Sequence, residues 1–287
     1  MRLFDTHAHL QLREFNSDRD AVLKRAEDAG VAGLLVPGVD VATSEAAIDL
    51  AASAPAVSAA AGCHPHDARF MDDAALARLA ELARHPQVVA VGEIGLDFYR
   101  NLSPHDKQVS VFQRQLETAA EVAKPVAVHC REANETLFPL MEAWAQRLGC
   151  SLPNGRPLGV LHYFSEELEL AERYVELGFL ISIHTSVTYP KAQQLQEVAR
   201  RLPLETLVVE TDSPYGPPQS RRGRRPDGRP PGRNEPAYVA EAIAKIAELR
   251  NEPIERVAEA TTENAHRLFA PARQHAPAAG TSIPSSA

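Results

Sequence analysis

Short apolar runs alternate with amphipathic stretches along most of this chain. The runs predict eight strands: Leu3–Leu10, Val31–Pro37, Ala56–Cys63, Val88–Leu96, Val126–Cys130, Leu158–Tyr163, Phe179–His184 and Leu207–Asp212. Between them lie helical patterns at Asp18–Ala29, Ser44–Ala54, Asp73–Arg84, His105–Ala123, Glu132–Leu148, Glu166–Leu177 and Lys191–Arg200. Two more, Ala237–Arg250 and Ile254–Leu268, follow the last strand. Ser17 suits an N-cap, Gly30 and Gly178 stand where helix C-termini need a left-handed residue, and Pro125 opens a strand. Strands that each precede a helix must pair in parallel through crossover connections. The first strand–helix turn lacks the Gly-rich dinucleotide fingerprint, which weakens an open doubly wound sheet. The expected fold is therefore an α/β protein, a (β/α)8 TIM barrel with its active site at the C-terminal ends of the strands.

Two segments break the rhythm. Residues 216–233 are rich in Pro, Gly and Arg and read as a long loop without regular structure; residues 271–287 read as a disordered tail. The expected organisation is thus one domain over residues 1–270 plus that tail. The length of 287 residues suits such a barrel, which needs roughly 250. Composition changes little: 44% hydrophobic and 24% charged residues exclude a chain disordered throughout. Asp49 and Pro55 interrupt the alanine-rich stretch from Ala46 to Ala61, so no membrane span is expected. Cys63, Cys130 and Cys150 are too few and too scattered for a disulfide scaffold or zinc ribbon, and a cytoplasmic protein is expected. The net charge of -8 supplies no general attraction for a polyanion.

The chemistry gathers at the strand ends. Asp5, His7 and His9 alternate along the first strand and should all face the barrel interior. Other strands close on Cys63-His64-Pro65-His66, His129-Cys130-Arg131, His162-Tyr163, Ile183-His184 and Glu210-Thr211-Asp212, and the fourth contains Gly92-Glu93-Ile94-Gly95-Leu96-Asp97. Inward polar groups would cost several kcal/mol together unless paired, hydrogen-bonded or bound to metal. The chain shows no nucleophile elbow, no Walker loop and no strand-end lysine. A ring of imidazoles and carboxylates instead suits divalent ions. Imidazole favours Zn, Mn or Fe and oxygen favours Mg, so ligand type leaves the metal open. A carboxylate bridging two ions about 3.5–4 Å apart would let them share a hydroxide, which points to metal-assisted hydrolysis.

The motifs FDTHAHL, GCHPH, GEIGLDFYR, PVAVHCRE, LHYFS, ETDSPY, RNEP and TENAHRLF, in this order, closely resemble those of the TatD-type metal-dependent deoxyribonucleases, within the amidohydrolase-like barrel superfamily. The resemblance covers roughly residues 1–269. It implies that His7, His9, Glu93 and Asp212 surround one metal ion while Glu93, His129 and His162 hold a second, Glu93 bridging them. It also implies hydrolysis of DNA phosphodiesters with two divalent ions, Mg being usual and Mn or Zn compatible. Asp212 is then the expected proton acceptor, Arg131 a phosphate clamp and His64 a substrate contact. The rival readings are an amide, lactone or aminoacyl-ester hydrolase of the same superfamily and a non-enzymatic nucleic-acid-binding barrel.

This chain departs from the family pattern in three places, one being an Arg-rich insertion between Tyr215 and Asn234 that is longer than typical. Tyr163-Phe164-Ser165-Glu166 replaces the usual Cys-Phe-Ser-Gly, and His184 stands where a Gly-rich segment is commoner, which makes it an expected extra site residue. Outside the ring, His66, His85 and His105 are expected to be solvated, His266 to pack, and Cys63 and Cys130 to be buried near the site. The segment 221–233 carries six arginines against one aspartate, net +5, and is expected to track DNA phosphates.

Overall fold

The computed structural model describes residues 1–223 and 232–269. The eight strands are β1 (Leu3–Asp5), β2 (Val31–Pro37), β3 (Val57–Ala61), β4 (Val88–Asp97), β5 (Val126–Arg131), β6 (Gly159–Leu161), β7 (Phe179–His184) and β8 (Leu207–Glu210). They pair in parallel in strict chain order. Closure comes from the chain beyond β1. Thr6 donates its amide to the Val209 carbonyl, and Ala8 bridges Ser213. The fold is a (β/α)8 TIM barrel, as the alternation required.

Seven helices fill the crossovers: α1 (Arg19–Asp28), α2 (Val41–Ser53), α3 (Asp73–Leu82), α4 (His105–Val122), α5 (Asn134–Arg147), α6 (Leu168–Glu176) and α7 (Gln193–Arg201). After β8 come α8 (Gln219–Arg222), α9 (Val239–Arg250) and α10 (Ile254–Phe269). Gly30 and Gly178 hold φ of 89° and 90° just past α1 and α6, as a left-handed helix exit requires. Ser17 does not cap α1. Asp18 takes the N-cap position, and its carboxylate binds the Arg233 guanidinium instead of the helix amides. The single turn α8 corrects the expectation that 216–233 lacks regular structure; residues 224–231, and the expected tail 271–287, lie outside the described residues.

Several strands stop earlier than their apolar runs. β1 ends at Asp5, not Leu10; β6 ends at Leu161; and β8 ends at Glu210. Tyr163 and Asp212, just beyond β6 and β8, have φ of 49° and 56°. A left-handed residue breaks the ladder and turns the chain across the barrel mouth. The apolar run continues because the segment stays buried, not because it stays in the sheet.

Two apolar layers organise the core. The larger lies between the strands and the surrounding helices. The smaller takes one residue from each strand: Phe4, Leu35, Ala60, Ala90, Ala127, Val160, Leu180 and Val208. Ala265, Leu268 and Phe269 of α10 complete it, closing the lower interior from beneath. Phe4 is thus the interior residue of β1. Asp5 points elsewhere, correcting the reading that Asp5, His7 and His9 share one strand face. Its carboxylate accepts from the Thr211 amide and hydroxyl at 2.9 and 2.6 Å, and burial pushes it up to about 8. Phe4→Ala should cost about 3–5 kcal/mol of stability in denaturant unfolding. Activity per folded molecule should be unchanged, because the layer lies below the polar rim.

Candidate metal centre

Above the apolar floor the interior turns polar. Glu93, buried midway along β4, stands at the centre of five imidazoles. Its Oε1 lies 3.1 Å from His129 Nδ1, 3.1 Å from His162 Nε2 and 3.3 Å from His64 Nε2. Its Oε2 lies 3.2 Å from His7 Nε2 and 3.5 Å from His9 Nε2. Asp212 Oδ1 adds to the second group, 3.5 Å from His9 Nε2 and 4.0 Å from His7 Nε2. One carboxylate therefore divides its two oxygens between two sets of ring nitrogens. All six residues expected around metal come together here.

Local backbone geometry makes this convergence attainable. Gly95 pairs with His129 across β4 and β5 at φ 148°, and a Cβ there would lie 1.9 Å from the His129 carbonyl oxygen. Only glycine lets the two strands close so tightly beside the His129 backbone. On the opposite side, Asp212 donates its amide to the His7 carbonyl and His9 donates to Ser213, which ties the two chain segments together.

Carboxylates hold two of the rings from outside. His129 turns Nε2 to Asp97 Oδ2 at 3.3 Å, and His162 turns Nδ1 to Glu210 Oε1 at 3.2 Å. Asp97 is itself fixed by the Tyr99 and Arg100 amides, and Glu210 by the Tyr163 amide and Ser182 hydroxyl. Such an outer carboxylate sets which ring nitrogen faces inward and raises its basicity. These two roles were not read from the sequence. The signal for Glu210 was present, since it lies two residues before Asp212 at an inward strand position.

The charges are strongly coupled. Burial alone would raise the Glu93 carboxyl, yet His162, His64 and His7 together hold it well below the usual carboxylate range. His162 is likewise penalised by burial, but Glu93 and Glu210 lift it well above an ordinary imidazole. Burial wins at His64, which drops to about 4, and at His7, where His162 adds to the lowering.

The donor set fits divalent cations. His7 Nε2 and His9 Nε2 are 3.2 Å apart, a separation at which both cannot carry protons. Their outer Nδ1 atoms are buried without a partner among the described residues. Cations among the inner nitrogens and carboxylate oxygens would use both lone pairs and leave each proton on the outer nitrogen. Asp97→Asn tests the support. The amide oxygen can still accept from Tyr99 and Arg100, but the charge facing His129 is lost. Metal affinity should fall about 10–100-fold in calorimetric titration.

A cavity of about 900 Å³ opens above the cluster, lined by His9, His64, Glu93, His129, His162 and Asp212 among others. Arg131 lies at its edge, exposed, with its guanidinium 3.8 Å above the Tyr99 ring. His66 is not merely solvated; it shares Asp97 with His129 at 2.8 Å. His85 and His105 are exposed, and His266 packs edge-on against Phe4. Cys63 is buried, whereas Cys130 is half-buried and lines the cavity. His184 is absent from the lining. Its ring stacks 3.7 Å beneath Tyr163, which does line the cavity, so two of the departures from the family pattern form one stacked unit.

The arginine-rich segment is less free than its charge implied. Arg233 pairs with Asp18 and lies over Phe15; Arg221 pairs with Glu241; and Arg222 lies over Tyr189. Arg224, Arg225 and Arg229 lie outside the described residues.

Barrel and cluster together define a metal-dependent hydrolase of the TIM-barrel class. The sequence profile of the TatD related DNase family matches residues 4–270, and the chain belongs to that family. It is 37% identical over 268 residues to an uncharacterized metal-dependent hydrolase, YabD, of Bacillus subtilis, covering 93% of this chain and 98% of that protein. It is 37% identical over 269 residues to the 3'-5' ssDNA/RNA exonuclease TatD of Erwinia billingiae, again over 93% and 98%. Among solved structures, the TatD homologue YJJV of Escherichia coli superposes with a TM-score of 0.83 at 33% identity, over 93% and 98% of the chains.

Proposed function

We propose that this protein is a divalent-metal-dependent nuclease that hydrolyses DNA phosphodiester bonds, working from chain ends as an exonuclease in the cytoplasm. The carrying observation is Glu93, whose two oxygens serve two separate groups of ring nitrogens at the base of an open cavity. The exonuclease names of relatives that match 93% of the chain support the reading, and the free cysteines fit a reducing compartment.

His7, His9, Glu93 and Asp212 would hold one ion and Glu93, His129 and His162 the other, with Mg expected and Mn or Zn compatible with the imidazoles. Two such ions supply Lewis acidity at the phosphoryl oxygens and an activated water. The chain's own groups do the rest. Asp212, partly open to the cavity, takes the proton of the attacking water and returns it to the leaving oxygen. His64, with its Nδ1 accepting from the His66 amide, turns Nε2 toward Glu93 Oε1 and lines the cavity where a substrate would pass. Arg131 reaches a phosphate from the rim, where it offers its fork of donors with no carboxylate within ion-pair distance among the described residues.

Incubating the protein with single- and double-stranded DNA of defined ends, with and without chelator, tests this reading directly. Shortening by single nucleotides is expected, lost with chelator and restored by metal. Titration should reach two ions per chain; saturation at one would sink the bridged arrangement. A non-enzymatic binder would retain DNA unshortened whether or not chelator is present.

A further inference from the structure

Few large apolar side chains are exposed among the described residues, and three of the five lie on two loops that are hydrogen-bonded to one another. Phe70 is 62% exposed, Tyr99 52% and Leu102 44%. Phe70 ends the 3-10 turn Pro65–Phe70 after β3, and Tyr99 and Leu102 lie in the loop after β4. The two segments are tied together. Ser103 Oγ accepts from the Arg69 amide at 3.0 Å and donates to the His66 carbonyl at 2.7 Å, and His66 meets Asp97 at 2.8 Å. The same lip carries three exposed arginines. The Arg69 guanidinium lies 4.6 Å from the centre of Phe70, that of Arg131 lies 3.8 Å from Tyr99, and Arg100 lines the cavity.

These arginines differ from four on or just past the barrel's outer helices, which are held by carboxylates. Arg78, Arg84, Arg114 and Arg147 pair with Glu45, Glu121, Asp73 and Glu117. Arg69, Arg100 and Arg131 make no ion pair within 4 Å among the described residues. The acidic groups of the cavity rim, Asp67, Glu132 and Glu166, leave all three unpaired. Exposed aromatic rings, each with a guanidinium lying over it and without carboxylate partners, are the combination that single-stranded nucleic acid uses. Bases stack on the rings while cations track the phosphates. A duplex offers no free base faces to such a surface.

We propose that this lip, built from Phe70, Tyr99 and Leu102 with Arg69 and Arg100, is a stacking platform for the single-stranded segment that trails from the terminal nucleotide in the cavity. The assignment rests on the nuclease reading of the neighbouring site. It makes the platform responsible for preferring long, unpaired substrates, with Arg131 joining the platform to the cavity.

The test compares wild type with Phe70→Ala/Tyr99→Ala and with Tyr99→Phe. Binding of labelled oligothymidylates, from the dinucleotide to about a dozen nucleotides, is read by fluorescence anisotropy in chelator, where no cleavage occurs. Wild-type affinity should rise with length. The double variant should lose at least about tenfold on the longest strand. It should match wild type on the dinucleotide, and Tyr99→Phe should restore the contribution of that ring. With metal present, KM for the long strand should rise while kcat holds. Equal affinities of wild type and double variant at every length overturn the platform, even if cleavage is intact. Sedimentation covers the competing occupant: a wild-type dimer that dissociates in the double variant, with DNA binding unchanged, assigns the lip to a second copy and overturns the proposal. Length-dependent binding without any metal-dependent cleavage supports the platform and removes the nuclease reading instead.

Discussion

Glu93→Gln is expected to reduce turnover on DNA by about a thousandfold or more, the largest loss of any single substitution in this protein. The side chain keeps its volume, so the barrel should survive, as circular dichroism would report, while denaturant unfolding should shift because the buried His162 loses a partner charge. What disappears is a negative charge that lies 3.1 to 3.5 Å from His7, His9, His129 and His162. Replacing it by an amide removes one anionic ligand from each half of the cluster at once. A ligand such as His7 or His129 serves one half alone, so alanine there should cost less. Metal titration separates the causes: Glu93→Gln should weaken both ions, whereas His129→Ala should weaken one. Near-native kcat in Glu93→Gln would remove this cluster from the chemistry.

Asp212→Asn should lower kcat about 10²–10⁴-fold, the range of a positioned proton acceptor, while KM for DNA changes little. Asp212 belongs to one half of the cluster only, through His9 and His7. A loss of metal affinity alone would be recovered by raising the metal concentration. A lost proton acceptor would not. The expected result is therefore a defect that persists at saturating metal, measured as single-turnover cleavage of a defined oligonucleotide. Full recovery at high metal would reduce Asp212 to a ligand without a role in proton transfer.

The order of elements was readable because a parallel barrel demands alternation, and every predicted strand and helix exists near its expected place. Strand ends were harder. Leu10, Tyr163 and Asp212 continue buried runs, yet they stand beyond the sheet where the chain bends over the mouth. Hydrophobicity reports burial, and burial does not distinguish a strand from a covered turn. The inward ligands were legible as polar residues at the ends of apolar runs. For His7 and His9 the parity argument reached the right residues by an incomplete route, since β1 has ended before either one. Asp97 and Glu210 were given no partner from the sequence, because their meaning depends on which histidine each faces across neighbouring strands. His184 shows the opposite error: it is a strand-end imidazole whose ring serves as a backing for Tyr163. A local pattern identifies who is polar and inward; only the closed barrel decides who meets whom.

That dependence on closure bears on how the molecule is made. The Asp5 carboxylate is held by Thr211, 206 positions later in the chain, and His162 by Glu210, 48 positions later. Contacts this distant form only after a large loss of chain entropy, and they make barrel topologies slow to complete. No stretch that lacks either the first or the eighth strand contains a whole site. A nascent chain leaving the ribosome would therefore carry His7, then Glu93, then His129 before Glu210 and Asp212, which complete the site, have been made. The site residues can all meet only once β8 stands beside the chain that follows β1, so a partly made copy holds no whole metal centre.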